Sequence, residues 1–271
     1  MMRALSTGIA AVLLFAAGGG SASASSSAPG STMFIAGDST AANYPASRYP
    51  QTGWGMMLPC GLSPDIRVTN LAMGGRSTRT FIGEGRWDRL TEQLSPGDTV
   101  LIQFGHNDAN TAKPERFAAA RTDYRDNLLR FIWTVRGARA VPVLLTPVAR
   151  RSFADGKAKA DFAEYSAVVR QLAQSTGTPL IDLETLSRDW IDRAGVEASK
   201  AYYLHYKPED GVAAFPKGIA DDTHFSELGA RGVADLVLGG LKGLGLGISA
   251  KVRDDRADLT RTFAMGSTQC R

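Results

Sequence analysis

The chain has 271 residues, of which 44% are hydrophobic, and a formal net charge of +4. Its Lys and Arg residues are scattered and form no basic stripe, so we expect no nucleic-acid partner. No long apolar run follows the N-terminal one, which argues against an integral membrane protein. About 247 residues remain after residue 24, which suits one large α/β domain.

Residues 1–24 are predicted to be a signal peptide. Arg3 supplies a positive start, residues 9–17 are apolar, and Ala22-Ser23-Ala24 fits a small-residue cleavage site. A membrane anchor is the alternative, although the apolar run is short for a transmembrane helix. With residues 25–31 as a flexible lead-in, we expect a protein secreted to the extracellular space or the periplasm, without a membrane partner.

Apolar and amphipathic segments then alternate along the chain. Strands are predicted at 33–36, 66–70, 100–104, 141–145 and 180–183. Helices are predicted at 54–58, 116–136, 163–174 and 227–238, the last with Ser226 as its N-cap. This order predicts a parallel sheet covered by helices on both faces. The domain is predicted to span 32–247, and the irregular stretches 150–159 and 200–220 are candidate rims of a substrate cleft.

A charged C-terminal tail is predicted over residues 248–271. The only cysteines are Cys60 and Cys270. An even number of cysteines in an exported protein favours one disulfide, which would hold the tail against the domain. Two unpaired thiols are the alternative.

Four polar blocks stand at the ends of predicted elements. Three of them place Ser39, Gly75 and Asn107 after the first, second and third strands, and the fourth precedes the last helix. Because ligands bind beyond the carboxyl ends of parallel strands, we expect these blocks to meet at one edge of the sheet. The blocks are Gly37-Asp38-Ser39-Thr40, Asn70-Leu71-Ala72-Met73-Gly74-Gly75-Arg76-Ser77, Gly105-His106-Asn107-Asp108 and Asp221-Asp222-Thr223-His224.

The residue types of the blocks are those of a serine hydrolase. A serine hydroxyl becomes a good nucleophile when an imidazole takes its proton. Of the three histidines, His224 is the best base, since Asp221 lies three residues before it and can bind Nδ1, leaving Nε2 for Ser39. A helix-capping Asp beside a solvated His is the alternative explanation of that spacing.

The tetrahedral intermediate of acyl transfer needs hydrogen-bond donors aimed at its oxyanion. The candidates are the backbone N–H groups of Ser39 and Gly75 and the side-chain amide of Asn107. Gly74 and Gly75 could instead serve only a tight turn. Asn107 could instead stabilise its own loop.

With these motifs the chain resembles the SGNH (GDSL-type) hydrolases, and most closely their rhamnogalacturonan acetylesterase branch. The resemblance also includes Gly53-Trp54-Gly55 and Gly75-Arg76-Ser77, and it runs from about residue 33 to residue 241. It implies a three-layer α/β/α sandwich of flavodoxin-like type with a central five-stranded parallel sheet. It further implies a Ser39–His224–Asp221 triad, an oxyanion hole of Ser39, Gly75 and Asn107, and neither metal nor cofactor.

The implied reaction is removal of acetyl groups from O-acetylated rhamnogalacturonan, a pectic polysaccharide of the plant cell wall, by a monomer. Candidate substrate contacts are Arg76, His106 and Tyr206, although packing or solvation would explain such side chains equally well. The alternatives are an acetylxylan esterase, a broad short-chain esterase, a metal-dependent phosphoesterase and a non-catalytic carbohydrate-binding protein. The phosphoesterase would use Asp38, Asp108, Asp221 and His224, which include only one histidine in a credible position.

Overall fold

The computed structural model describes Met1 and residues 32–270. The predicted signal peptide, apart from Met1, and the lead-in over 25–31 lie outside the described residues. Within the described residues, no helix is long and apolar enough to cross a membrane.

A five-stranded parallel sheet forms the centre of the fold, as the sequence predicts. Its order is β2-β1-β3-β4-β7, and Ile35 of the interior strand β1 lies between Asn70 of β2 and Leu101 of β3. Two antiparallel hairpins, β5–β6 and β8–β9, lie outside this sheet. The strands are β1 (Thr32–Gly37), β2 (Arg67–Asn70), β3 (Thr99–Gln103), β4 (Val141–Leu145), β5 (Phe153–Ala154), β6 (Lys157–Ala158), β7 (Leu180–Ile181), β8 (Tyr203–Tyr206) and β9 (Ile219–Phe225).

Helices cover both faces of the sheet, which gives the three-layer sandwich. The α-helices are α1 (Trp54–Met57), α2 (Thr78–Gly83), α3 (Arg86–Thr91), α4 (Arg125–Gly137), α5 (Ala163–Thr176), α6 (Leu183–Ala198) and α7 (Glu227–Gly243). Since side chains alternate along a strand, Met33 and Ile35 pack with α1, α6 and α7, whereas Phe34 and Ala36 pack with α2 to α5. The strand ends thus reach solvent between two buried cores.

The helix predicted over 116–136 begins later than expected. The first residues of that segment form a loop, a π-helical turn covers Ala120–Tyr124, and α4 starts at Arg125. The loop is held by tertiary contacts: the Ala118 N–H donates to Asp108 O, and the Tyr165 hydroxyl contacts the carbonyl oxygens of Asp108 and Ala118. Those contacts override the helical pattern of the sequence.

The strand predicted over 180–183 is also shorter than expected. It stops at Ile181 because Asp182 becomes the N-cap of α6, where its side chain accepts the Thr185 N–H. Helix α6 is not among the helices predicted from the sequence. The N-cap predicted for the last helix is present, since Ser226 Oγ accepts the Gly229 N–H at 3.2 Å, and α7 continues to Gly243.

The C-terminal segment packs on the domain. A disulfide joins Cys60 to Cys270, which is the alternative that the sequence favours. Arg231 and Glu227, both fully buried, form an ion pair at 2.8 Å, and Arg231 also donates to Ser267 O of the tail. The tail is therefore held by a covalent link and by a buried, hydrogen-bonded charge pair.

Candidate active site

Ser39 lies in the tight turn that follows β1. The Asp38 carboxylate, fully buried, accepts the Thr40 N–H at 2.9 Å and the Thr40 hydroxyl at 2.7 Å, and the Ala41 N–H donates to Asp38 O. The hydroxyl of Tyr44 donates to Ser39 O at 2.8 Å. These bonds fix the backbone on both sides of Ser39, the predicted nucleophile.

The loop after β2 lies directly beside this turn. The Met73 N–H donates to Gly37 O, and a Cβ built on Gly74 would be 3.8 Å from Ser39 Cβ. Gly75 has φ of 77°, a left-handed conformation that glycine adopts without strain. Within residues 32–270 the backbone N–H groups of Ser39 and Gly75 donate to no other group. Two backbone donors with no protein acceptor are what an oxyanion hole requires.

Asn107 follows β3 and its amide is held in one orientation. Its Nδ2 donates to Arg76 O at 3.0 Å, and its Oδ1 accepts from Arg116 Nη1 at 3.4 Å. An amide nitrogen has two hydrogens, so one remains for a ligand. Arg116 also lies 3.4 Å from a Cβ built on Gly75. Arg116 is not among the predicted site residues, because the sequence pattern places it at the start of a helix.

His224 and Asp221 lie on the β8–β9 hairpin. Tyr203 pairs with Phe225 and Leu204 pairs with Asp221, so residues 222–224 bulge out of β9. The sequence placed His224 in a loop before the last helix, which is wrong in this detail. Asp221 Oδ1 accepts the N–H groups of Thr223 and His224 at 2.7 and 3.0 Å, so the carboxylate itself closes the bulge.

The side chains of this pair make the contact that the spacing predicts. Asp221 Oδ2 lies 2.7 Å from His224 Nδ1. Burial would raise the pKa of Asp221, but the hydrogen bonds from the side chain and the backbone of His224 outweigh it and lower the pKa to about 2. The carboxylate is therefore ionised at neutral pH and favours the tautomer with a proton on Nδ1, which leaves Nε2 as an acceptor.

A short segment connects the two loops. The Thr52 N–H donates to Phe225 O at 3.1 Å, next to His224, and the Trp54 N–H donates to Thr40 O at 2.9 Å, next to Ser39. Between them, a Cβ on Gly53 would lie 2.1 Å from Ala42 O, so this position accepts only glycine. The Gly53-Trp54-Gly55 motif thus holds the His224 loop against the Ser39 loop.

A buried charged cluster lies under the turn. His106 Nδ1 is 3.4 Å from Asp38 Oδ2, and both side chains are almost completely buried. Burial acts to raise the pKa of Asp38, but the nearby His106 and the hydrogen bonds from Thr40 lower it. Burial raises the pKa of Asp108 to about 7, even though Thr78 donates two hydrogen bonds to it.

The three predicted substrate contacts lie in different surroundings. Arg76 binds Glu84 and Gly74 O, so its guanidinium already has partners. His106 is 5% exposed at the floor of a cleft. Tyr206 lines a separate cavity of about 520 Å³ together with Phe263 of the tail. Their roles in binding stay predictions.

The cleft above His106 has a volume of about 630 Å³. Asp222 and Thr223, which precede His224, form part of its wall. Arg150, on the loop after β4, and Phe162, on the loop after β6, also line it. Across the described residues, no group of three His, Cys, Asp or Glu side chains is placed to hold a metal ion. The ligand cluster that the phosphoesterase alternative requires is thus missing from this part of the chain.

Comparison with known proteins identifies the family. Residues 35–231 match the model of the GDSL-like Lipase/Acylhydrolase family. Two proteins of Bacillus subtilis (strain 168) are similar over most of their length. "Rhamnogalacturonan acetylesterase RhgT" is 38% identical over 79% of this chain and 90% of its own. "Probable rhamnogalacturonan acetylesterase YesY" is 37% identical over 83% of this chain and 98% of its own.

A solved structure has the same architecture. The crystal structure of protein YXIM_BACsu from Bacillus subtilis superposes with a TM-score of 0.68 at 29% identity, over 80% of this chain and 57% of that one. The match to the family model covers the Ser39, Gly75, Asn107 and His224 blocks together. The chain therefore belongs to the GDSL-like lipase/acylhydrolase (SGNH hydrolase) family, and it is a carboxylic ester hydrolase with acetylesterase relatives.

Proposed function

We propose that this protein is a secreted acetylesterase that removes acetyl groups from O-acetylated rhamnogalacturonan through an acyl-enzyme on Ser39. The observation that carries the mechanism is the Asp221–His224 pair, tied by residues 52–54 to a Ser39 turn that has two free backbone donors beside it. The names of the two Bacillus relatives support the substrate class.

The first half of the reaction forms the acetyl-enzyme. His224 Nε2 takes the proton of Ser39 while Ser39 Oγ attacks the acetyl carbonyl carbon. The N–H groups of Ser39 and Gly75 and the free amide hydrogen of Asn107 stabilise the oxyanion. When the bond between the acetyl carbon and the sugar oxygen breaks, His224 returns the proton to that oxygen and the sugar leaves as an alcohol.

The second half releases acetate. A water molecule attacks the acetyl carbon and gives its proton to His224 Nε2, and the same donors stabilise the second oxyanion. The bond to Ser39 Oγ then breaks, and Oγ recovers the proton from His224. Asp221, ionised at neutral pH, stabilises the imidazolium in both halves.

The surroundings of the site favour a sugar ester over a lipid ester. The wall of the adjacent cleft carries Arg150, Arg151, Asp161 and Asp222. Such charged groups are costly to cover with an acyl chain, but they can hydrogen-bond to hydroxyl and carboxylate groups.

The secreted location rests on the N-terminal pattern and on the disulfide. The pattern of residues 1–24 is typical of a signal peptide, and disulfides persist in oxidising compartments. Expression in a bacterial host, followed by mass spectrometry of the N-terminus, tests the proposal. We expect cleavage after Ala24, and a full-length cytoplasmic product would contradict it.

Acetate release from a substrate panel tests the activity. The panel holds acetylated rhamnogalacturonan, acetylated homogalacturonan, acetylxylan and a chromogenic acetate, each assayed with and without EDTA, with Ser39→Ala as the blank. We expect the highest kcat/KM on rhamnogalacturonan and no loss with EDTA. A higher value on acetylxylan would contradict the substrate, and activity that EDTA abolishes and zinc or manganese restores would contradict the mechanism.

A further inference from the structure

Among residues 32–270, one cation that lines the cleft beside the active site has no acidic partner. Arg150 lines the cleft, and its Nε atom is buried without a hydrogen-bond partner. Among the described residues, its guanidinium forms neither a hydrogen bond nor an ion pair. It makes a cation–π contact with the ring of Phe162. A partly buried cation without a partner favours an anionic ligand.

The other charges of the cleft are paired. Arg151 donates to Asp222 at 2.9 Å and to Val196 O. Asp161 lies 3.6 Å from Lys159. The positive charge of Arg150 is therefore not cancelled by the acidic side chains of the wall.

Packing holds the guanidinium in place. Its Cζ lies 5.0 Å from the centre of the Phe162 ring, and that ring also contacts the His106 ring at a centroid distance of 4.3 Å. Phe162 is 5% exposed, so the ring has little freedom to move. A guanidinium stacked on a fixed ring presents its planar fork of N–H groups in one direction, which suits a carboxylate.

The position of the cleft relates this cation to the reaction. His106 of the floor precedes Asn107, and Thr223 of the wall precedes His224. A volume of about 630 Å³ lies in the range usual for ligand sites, roughly 300–1,000 Å³. A sugar unit bound here would adjoin the unit that carries the acetyl group.

We propose that Arg150 is the specificity-determining residue that binds the carboxylate of a galacturonate unit next to the acetylated sugar. This inference rests on the proposed function, since rhamnogalacturonan carries one uronate carboxylate in each repeating pair of sugars. Arg76, a candidate substrate contact suggested by the sequence, is paired with Glu84 and is the weaker candidate.

The test varies the charge of the protein and of the substrate together. Wild type and Arg150→Gln are assayed on an O-acetylated rhamnogalacturonan oligosaccharide and on the same oligosaccharide with its carboxylates methyl-esterified. We expect Arg150→Gln to lower kcat/KM on the anionic form roughly 10–100-fold, mainly through KM, since the contact is remote from the reacting bond. On the esterified form the two enzymes should be equal.

Three controls accompany this experiment. A chromogenic acetate carries no carboxylate for Arg150 to bind, so its hydrolysis by each variant measures the catalytic centre separately from this contact. Arg121→Gln removes a charge from a side chain that is 79% exposed and should behave as wild type on both oligosaccharides. Arg150→Lys keeps the charge but loses the planar fork, so its kcat/KM on the anionic form should lie between those of wild type and Arg150→Gln.

Two results of this comparison between substrates would overturn the inference. One is a wild-type enzyme with no preference for the anionic form over the esterified form, which can be measured even if Arg150→Gln does not fold. The other is a preference that persists in Arg150→Gln.

Product inhibition separates this inference from the proposed function. Deacetylated rhamnogalacturonan oligosaccharide is added to the chromogenic assay, and its inhibition constant should be about tenfold or more higher for Arg150→Gln than for wild type. Failure to release acetate from rhamnogalacturonan would contradict the proposed function alone. Absence of inhibition in wild type, or equal inhibition of both enzymes, would contradict the role of Arg150.

Discussion

The candidate active site consists of two halves that the protein builds in different ways. The sheet half comprises the loops after β1, β2 and β3, which carry Ser39, Gly75 and Asn107. The hairpin half is the β8–β9 hairpin, which carries Asp221 and His224 outside the central sheet. The first is an extension of the parallel ladder, and the second is a separate element attached to it.

The hydrogen bonds show this difference. In the sheet half, the Leu71 N–H donates to Ile35 O and the Met73 N–H donates to Gly37 O, which continue the pairing of β1 and β2 into their loops. The hairpin half is attached by scattered hydrogen bonds from several loops, such as Thr52 N–H to Phe225 O and the Tyr203 hydroxyl to Ala149 O. Alignment of the predicted base with the predicted nucleophile therefore depends on a few contacts outside the sheet.

The largest effect is expected where the two halves act on the same proton. Ser39→Ala and His224→Ala should each lower kcat by a factor on the order of 10³ or more, and the double variant should be about as slow as either single one. His205→Ala, in the same hairpin, is the matched control and should be much milder on a chromogenic acetate. Independent, additive losses would show that the halves do not act as a unit.

Asn107 tests the sheet half alone. Because an oxyanion donor gains strength as charge develops, Asn107→Ala should lower kcat roughly 10²–10³-fold with little change in KM. Measurement of kcat, KM and Tm on one sample separates catalysis from folding. An unchanged kcat, or a loss that follows the loss of folded protein, would remove Asn107 from the oxyanion hole.

Arg116 should act on the same half with a smaller effect. It donates to Asn107 Oδ1, so we treat it as a positioning residue for the amide. Arg116→Gln should lower kcat about tenfold, the effect of one hydrogen bond worth about 1–1.5 kcal/mol, and Arg116→Lys should restore part of it. The loss should be absent when Asn107 is already Ala, and additive losses in the double variant would argue against this role.

The smallest effects concern stability, and they should have opposite pH dependence in the two halves. The pKa of Asp221 is lowered to about 2, so its stabilising contribution is present above its unfolded pKa near 3.8 and is lost as pH falls towards 2. The pKa of Asp108 is raised to about 7, so its contribution is complete below pH 3.8 and is lost as pH rises through 7.

Thermal melts of two variants across pH 2–9 measure this contrast. The Tm of Asp221→Asn should fall below that of wild type at neutral pH and converge with it near pH 2. The Tm of Asp108→Asn should rise relative to the Tm of wild type as pH increases from about 4 to 8, since an amide does not ionise. Parallel curves for wild type and both variants would contradict the assigned pKa directions.

Features that depend on neighbouring residues in the chain could be predicted from the amino-acid sequence. Runs such as 100–104 and 141–145 predict strands because they are apolar enough to be buried on both faces, and β4 begins and ends where predicted. The four blocks lie at strand ends or on a short hairpin, and the Asp221–His224 contact follows from three residues of spacing. The roles of these residues in catalysis stay predictions.

Features that depend on residues far apart in the chain could not be predicted without the fold. The bulge of β9 exists because β8 pairs on both sides of residues 222–224, and no local pattern indicates it. Arg116 lies beside Gly75 because Tyr165 and Asp108 hold its loop out of α4. Arg150 resembles any surface arginine in sequence. Only the fold shows that its guanidinium lies over the Phe162 ring with no counter-charge among the described residues, because pairing is a property of three-dimensional neighbours.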